Sequence, residues 1–201
     1  MRNKICAILM AGYLISGCSS SGGTDGGAGG LGTTGTEDIG LLLFAALVAI
    51  GSSSVDTKQD ACGADSVEPG LTTATGTFTV NYENVVDTTN GLFPEGITLD
   101  NYTVTYSAQS GLNAPSLSPR AYSNTRTITG QSGSAAIPVV LVDVGFTIPE
   151  FAAKKGDSNT IHTYRVTVTY KGRTLAGKAF QVVASTNMEL GNFDRCSGSE
   201  T

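Results

Sequence analysis

His162 is the only histidine, there is no tryptophan, and only 14% of the 201 residues are charged. Each scarcity removes a class of chemistry. A His-Glu-x-x-His zinc site needs two histidines, so it is excluded. No Gly-x-Ser-x-Gly motif is present, and Gly130-Gln131-Ser132-Gly133-Ser134 is expected to be a loop. No Cys-x-x-Cys pair occurs for a metal or redox site. The glycines between 22 and 35 have no strand before them and no Lys-Thr pair after them, so they do not cradle a phosphate. Acidic side chains outnumber basic ones, 17 to 12, which removes the electrostatic reason to bind nucleic acid or an anionic lipid surface. Long stretches lack Leu, Lys and Glu together, while Thr, Ser and 26 Gly are plentiful, a bias toward strands and turns. His162 itself, two residues before Tyr164, is expected to be a partly buried residue at a strand end. No reactive constellation emerges, so the expectation is a protein that is not an enzyme and carries no cofactor and no metal.

What is present begins with Met1-Arg2-Asn3-Lys4 and a nearly unbroken apolar run from Ile5 to Ile15, the pattern of a secretory signal. It closes on Leu14-Ile15-Ser16-Gly17-Cys18. That stretch resembles the lipobox of bacterial lipoproteins, in which cleavage precedes a cysteine that then carries the acyl chains. The resemblance implies a signal peptide over 1–17 and a lipidated Cys18 that ties the protein to a membrane. Ser19, where an Asp would favour the inner membrane, points by the same resemblance to the bacterial outer membrane, with the face it occupies left open. Loss of Arg2 and Lys4 leaves 10 basic and 17 acidic side chains. Cys6 falls in the signal. Cys62 and Cys196 remain, and in an exported chain such a pair reads as one disulfide.

Residues 18–36 are expected to form a tether after the lipidated cysteine, since 15 of the 18 residues from Ser19 to Thr36 are Gly, Ser or Thr. The next stretch, 37–51, contains Ile39-Gly40-Leu41-Leu42-Leu43-Phe44-Ala45-Ala46-Leu47-Val48-Ala49-Ile50. Thr36 can cap a helix there, Glu37 and Asp38 suit its positive end, and Gly51 can stop it. The expected helix, about 20 Å long, is too short for the roughly 30 Å hydrocarbon core of a bilayer. Being apolar on every side, it needs a cover: its own domain, a partner or the bilayer surface. Leu43 and Leu47, one helical turn apart, are the candidate docking side chains.

Residues 52–201 are expected to form the folded domain. Phe78, Val80 and Tyr82 alternate with Thr77, Thr79 and Asn81; Tyr102, Val104 and Tyr106 alternate with Thr103 and Thr105; Tyr164, Val166, Val168 and Tyr170 alternate with Arg165, Thr167 and Thr169. Each reads as a strand with one core face and one Thr-rich face. Val139–Val144 predicts a central strand opened by Pro138, Thr125–Thr129 an edge strand, and Lys171-Gly172-Arg173 a hairpin turn leading into Leu175–Ala184. About seven strands of this kind point to an all-β, Greek-key sandwich. Tyr164-Arg165-Val166-Thr167-Val168 resembles the penultimate strand of immunoglobulin-like and fibronectin type III-like domains. That likeness implies a hydrogen bond from Tyr164 to the corner at Gly156-Asp157-Ser158-Asn159. The chain departs from antibody domains in lacking their internal cysteine pair and buried tryptophan.

Asp56, Asp60, Asp65, Glu83, Asp87, Glu95 and Asp100 are expected to be solvated loop acids, without EF-hand spacing. Lys154, Lys155, Arg165, Lys171, Arg173 and Lys178 give the last hairpin a basic bias that serves solubility and edge protection, with a docking patch for an acidic partner as the alternative. The functional expectation is a lipid-anchored module of the cell envelope that binds an envelope protein or glycan or serves structurally. The alternative is an accessory subunit of an envelope machine or surface fibre, docked through 37–51.

Overall fold

The computed structural model describes residues 32–36, 41–48, 50–59, 70–84, 96–109, 113–130, 132–155 and 160–193. The signal 1–17, Cys18, Ser19, most of the tether, Cys62, Cys196 and the corner at 156–159 lie outside the described residues. The described chain is all-β apart from one short helix. Its strands are β1 (Gly32–Thr36), β2 (Leu41–Val48), β3 (Ser54–Asp56), β4 (Ala74–Asn84), β5 (Gly96–Ala108), β6 (Arg120–Thr129), β7 (Ser132–Val142), β8 (His162–Thr174) and β9 (Ala179–Gly191). The helix α1 (Thr147–Lys155) joins β7 to β8. Two sheets form, in the orders β1-β2-β4-β7 and β3-β9-β8-β5-β6, antiparallel except for the parallel pair β3–β9. Nine strands among the described residues replace the seven expected.

The cleanest alternation gives the cleanest strand. In β8, Tyr164, Val166, Val168 and Tyr170 are buried while Arg165 and Lys171 face water. Aromatic rings fill the space between the sheets: Tyr170 lies 4.9 Å from Phe78 of the facing sheet and 5.0 Å from Tyr102 of its own. Tyr102 in turn stacks on Tyr122 at 5.1 Å.

The helix expected over 37–51 is corrected to the strand β2, paired with β1 on one side and β4 on the other. Leu43, Ala45 and Leu47 point into the core, and Leu42, Phe44 and Ala46 on the other face are half-buried. β2 pairs with β4 along its whole length and with β1 over Leu41–Ala45, and burial in a sheet outweighs the modest helical preference of Leu and Ala. The last five residues of the expected tether, Gly32–Thr36, form β1 instead of coil because β2 offers them an open edge.

Two more expectations shift. Val139–Val144 is not central: it belongs to β7, an edge strand among the described residues, with Pro138 inside it. Proline is tolerated there because its missing N–H faces away from β4. The neighbouring outward groups are capped from the other sheet, since Val140 N–H donates to the Tyr102 hydroxyl (2.9 Å) and Asn124 Nδ2 donates to the Pro138 carbonyl (3.2 Å). The β8–β9 turn is not Lys171-Gly172-Arg173, which lies within β8. It falls at 175–178, where Gly177 adopts φ 83° and its N–H donates to the Thr174 carbonyl at 2.8 Å.

The two ends of the sandwich differ. At one end, the Tyr82 hydroxyl donates to Gly130 O and Leu175 N–H donates to Gly96 O, which gathers the end of β4, the start of β5, the β6–β7 turn and the β8–β9 turn. At the other end lie α1, His162 and the junction of β3 with the end of β9.

Candidate functional site

Leu43 and Leu47, the candidate docking side chains, are 0% exposed within the core of their own chain. Cys18, Cys62 and Cys196 lie outside the described residues, but the chain next to the latter two is well placed. Thr57 N–H donates to Gly191 O (2.9 Å), and Asp56 Oδ1 accepts from Phe193 N–H (3.4 Å). The segments that lead to Cys62 and to Cys196 therefore leave the fold side by side.

His162 opens β8 and is 5% exposed. Its ring meets Phe151 edge-on at 6.0 Å, and its Nδ1 has no hydrogen-bond partner among the described residues. Burial, with the charge of Lys155 as a smaller cause, lowers its pKa from the ordinary 6.5, so it sits as a neutral ring. No nucleophile is aligned with it. Tyr164 donates its hydroxyl to the Pro115 carbonyl (2.7 Å) in the β5–β6 connection, in place of the expected 156–159 corner. Burial pushes that phenol up to about 12, and it pushes Tyr106 to about 12 as well. Both stay neutral donors, Tyr106 to the Leu141 carbonyl at 2.8 Å.

Glu150 on α1 collects the densest polar contacts. It accepts from Lys154 Nζ (2.7 Å), Ser118 Oγ (2.7 Å), Ser118 N–H and Arg120 Nη2 (3.0 Å). The hydrogen bond from Lys154, then that from Ser118, holds its carboxyl near pKa 2. This cluster fastens α1 to the chain before β6. It resembles a clamp more than a reaction centre, because every partner holds Glu150 in its charged form.

No family model matches the chain, and no curated protein matches it.

Among the described residues no cluster of His, Cys, Asp and Glu can hold a metal ion, and no helix is long and apolar enough to cross a membrane; crossing by strands is a separate matter. Two concavities bear on a binding role. One, of about 300 Å³, lies between 51–56 and 70–75, with Asp56 on its wall already bonded to Lys58 N–H and Phe193 N–H. The other, of about 550 Å³, is an open depression beside the β8–β9 turn.

That depression is built by a register shift. Against β8, Leu99 pairs with Gly172 and Asn101 with Lys171, leaving Asp100 as an extra, bulged residue; against β6 the register also shifts there, with Asn124 and Thr125 opposite Asp100. A bulge re-aims a side chain, and here the carboxylate reaches Arg173: Nε (3.1 Å) and Nη2 (2.8 Å) both donate to Oδ2. Asn101, Lys171 and Gln181 form one cross-strand row on the outer face, and Thr98, Arg173 and Ala179 form the next. Between the rows, Gly172 allows close approach: a Cβ there would meet Thr98 O at 2.5 Å and the Phe180 ring at 2.7 Å.

Sequence reasoning placed Asp100 among solvated loop acids and Lys171 and Arg173 in a general basic bias. It missed their convergence. The one signal was the spacing of Lys171 and Arg173, which puts both on one face of a strand; nothing in the sequence marks the bulge.

Proposed function

We propose that the chain is a lipid-anchored module of the bacterial cell envelope, an immunoglobulin-like Greek-key sandwich on a tether that binds an envelope component. The observation that carries the anchor is Ile15-Ser16-Gly17-Cys18 at the close of an apolar run. The strand order supports the finer description of the fold. β4 and β7 pair in one sheet, β5, β6, β8 and β9 group in the other, the two-sheet division of such a sandwich, and the short β3 runs parallel to β9. Tyr164 on β8 keeps a buried hydroxyl-to-backbone bond, although to another connection. A binding role fits a fold whose described polar clusters are either structural clamps or an open surface depression.

The test is direct. Mass spectrometry of membrane-extracted protein should find Cys18 acylated and residues 1–17 removed, and Cys18→Ser should release the protein on a carbonate wash. A Cys18→Ser protein that stays membrane-bound defeats the lipid-only anchor. The docking alternative through 37–51 loses Leu43 and Leu47, which pack in the core.

A further inference from the structure

We infer that the depression formed by the Asp100 bulge and the β8–β9 hairpin binds an acidic saccharide, with Lys171 taking its carboxylate and Asp100, Asn101 and Gln181 its hydroxyls. This rests on the binding-module reading above and names the class of ligand for it.

Position is the first argument. β1 runs toward the Tyr82 end of the sandwich, since Thr36 pairs with Leu41 and Leu41 with Asn84. The chain therefore enters β1 from the direction of the α1 end, and the depression opens at the end away from that entry.

Composition is the second. Asn101, Lys171 and Gln181 are exposed neighbours in one row across β5, β8 and β9. Adjacent strands lie about 4.8 Å apart, so the row presents an amide, an ammonium and an amide over about 10 Å, a span for more than one sugar unit. Lys171 has no carboxylate partner among the described residues, whereas Arg173 is held by Asp100. A volume of about 550 Å³ suits a small ligand.

The mixture of charges selects the ligand. A bare sulfate or a run of carboxylates has no hydroxyl to donate to the free oxygen of Asp100, so a partner that carries only anions is a poor fit. The Asp100–Arg173 pair instead has both an acceptor and donors to spare: only Oδ2 of the carboxylate is engaged, and Nη1 of the guanidinium makes no bond among the described residues. Hydroxyl groups, which donate and accept, use both. A neutral sugar would satisfy these groups but leave Lys171 without its anion. The overall acidity of the chain is no obstacle, because screening limits its reach to about 8–10 Å.

The experiment is calorimetric titration of the full detergent-solubilised protein with a galacturonate trisaccharide, its neutral galactose counterpart and a triglutamate peptide. The galacturonate should bind, with an affinity that falls as salt rises and at least about tenfold above the other two. Lys171→Ala should erase that preference while leaving the melting temperature unchanged, and Asp100→Asn should weaken both sugars. Equal binding of the neutral sugar or of the peptide, no binding of galacturonate at millimolar concentration, or undiminished binding by Lys171→Ala would each overturn the assignment. Acylation of Cys18 and membrane retention are read separately on the same preparation, so either conclusion can fail without the other.

Discussion

Glu150 and His162 lie on and beside α1 and give the fold two distinct responses to acid. Glu150 has a folded pKa of about 2 against an ordinary 4.5, so its contribution is present above about pH 4.5 and is lost as pH falls toward 2. His162 is also shifted down, by burial first and by Lys155 second, so the folded state favours the neutral ring. Its contribution is complete above the ordinary 6.5 and declines as pH drops below that value. Thermal melting followed from pH 8 to pH 2 should therefore show a first decline below 6.5 and a second below 4.5. His162→Gln should remove the first and Glu150→Gln the second, the latter at a cost of about 1–3 kcal/mol at neutral pH. Equal slopes in wild type and variants would refute the assignment. At this scale the sequence was half legible. His162 is a buried strand-end residue, as its parity with Tyr164 implied, but Glu150 was invisible because its partners Ser118 and Arg120 stand 32 and 30 positions away.

Elements were legible where polarity alternates and obscure where it does not. β8 alternates aromatic or Val with Thr or Arg, and it is a strand with that face inward. β2 hides its period, since Leu42, Phe44 and Ala46 on its outward face are as apolar as Leu43, Ala45 and Leu47 on its inner face. With no polar residue to mark two faces, Leu and Ala read as helix. α1 is the converse case, nine residues with Pro149 near its start and only Thr147, Ile148 and Phe151 buried. Its beginning is set by the Asp143 carbonyl, which accepts the N–H groups of Thr147 (2.9 Å) and Ile148 (3.2 Å). The strand assignment of β2 makes a sharp prediction. Leu47→Ala opens a cavity between β2 and the facing sheet and should cost about 2–5 kcal/mol in chemical denaturation of the full chain. Leu42→Thr, on the half-buried outward face and suited to a strand, should cost much less. A helix would bury positions three and four apart, so a large loss at Leu42 with none at Leu47 would contradict β2.

Across the whole molecule, the arrangement of ends decides how the chain is held together. The parallel pairing of Ser54–Asp56 with Glu189–Gly191 brings the chain before Cys62 to the chain before Cys196, and it does so at the end where α1 closes the sandwich. Ser54 Oγ donates to Glu189 Oε2 at 3.2 Å, and Asp56 receives Phe193 N–H, so the two segments are bonded to each other before either cysteine is reached. Cys196 stands three positions after Phe193, and Cys62 three after Gln59. Each such span reaches at most about 10 Å, a length that allows the two cysteines to meet. β3 has only three residues. A covalent link would keep that short parallel strand from fraying off the edge of its sheet. We therefore expect a Cys62–Cys196 disulfide that closes most of the domain into one loop, with a stabilisation of about 4–5 kcal/mol in the chain-entropy account. Non-reducing peptide mapping should recover the two cysteines in one linked fragment, and reduction should lower the melting temperature and speed amide exchange first in 54–57 and 189–193. Two alkylatable thiols in the native, unreduced protein would leave β3 held by its hydrogen bonds alone.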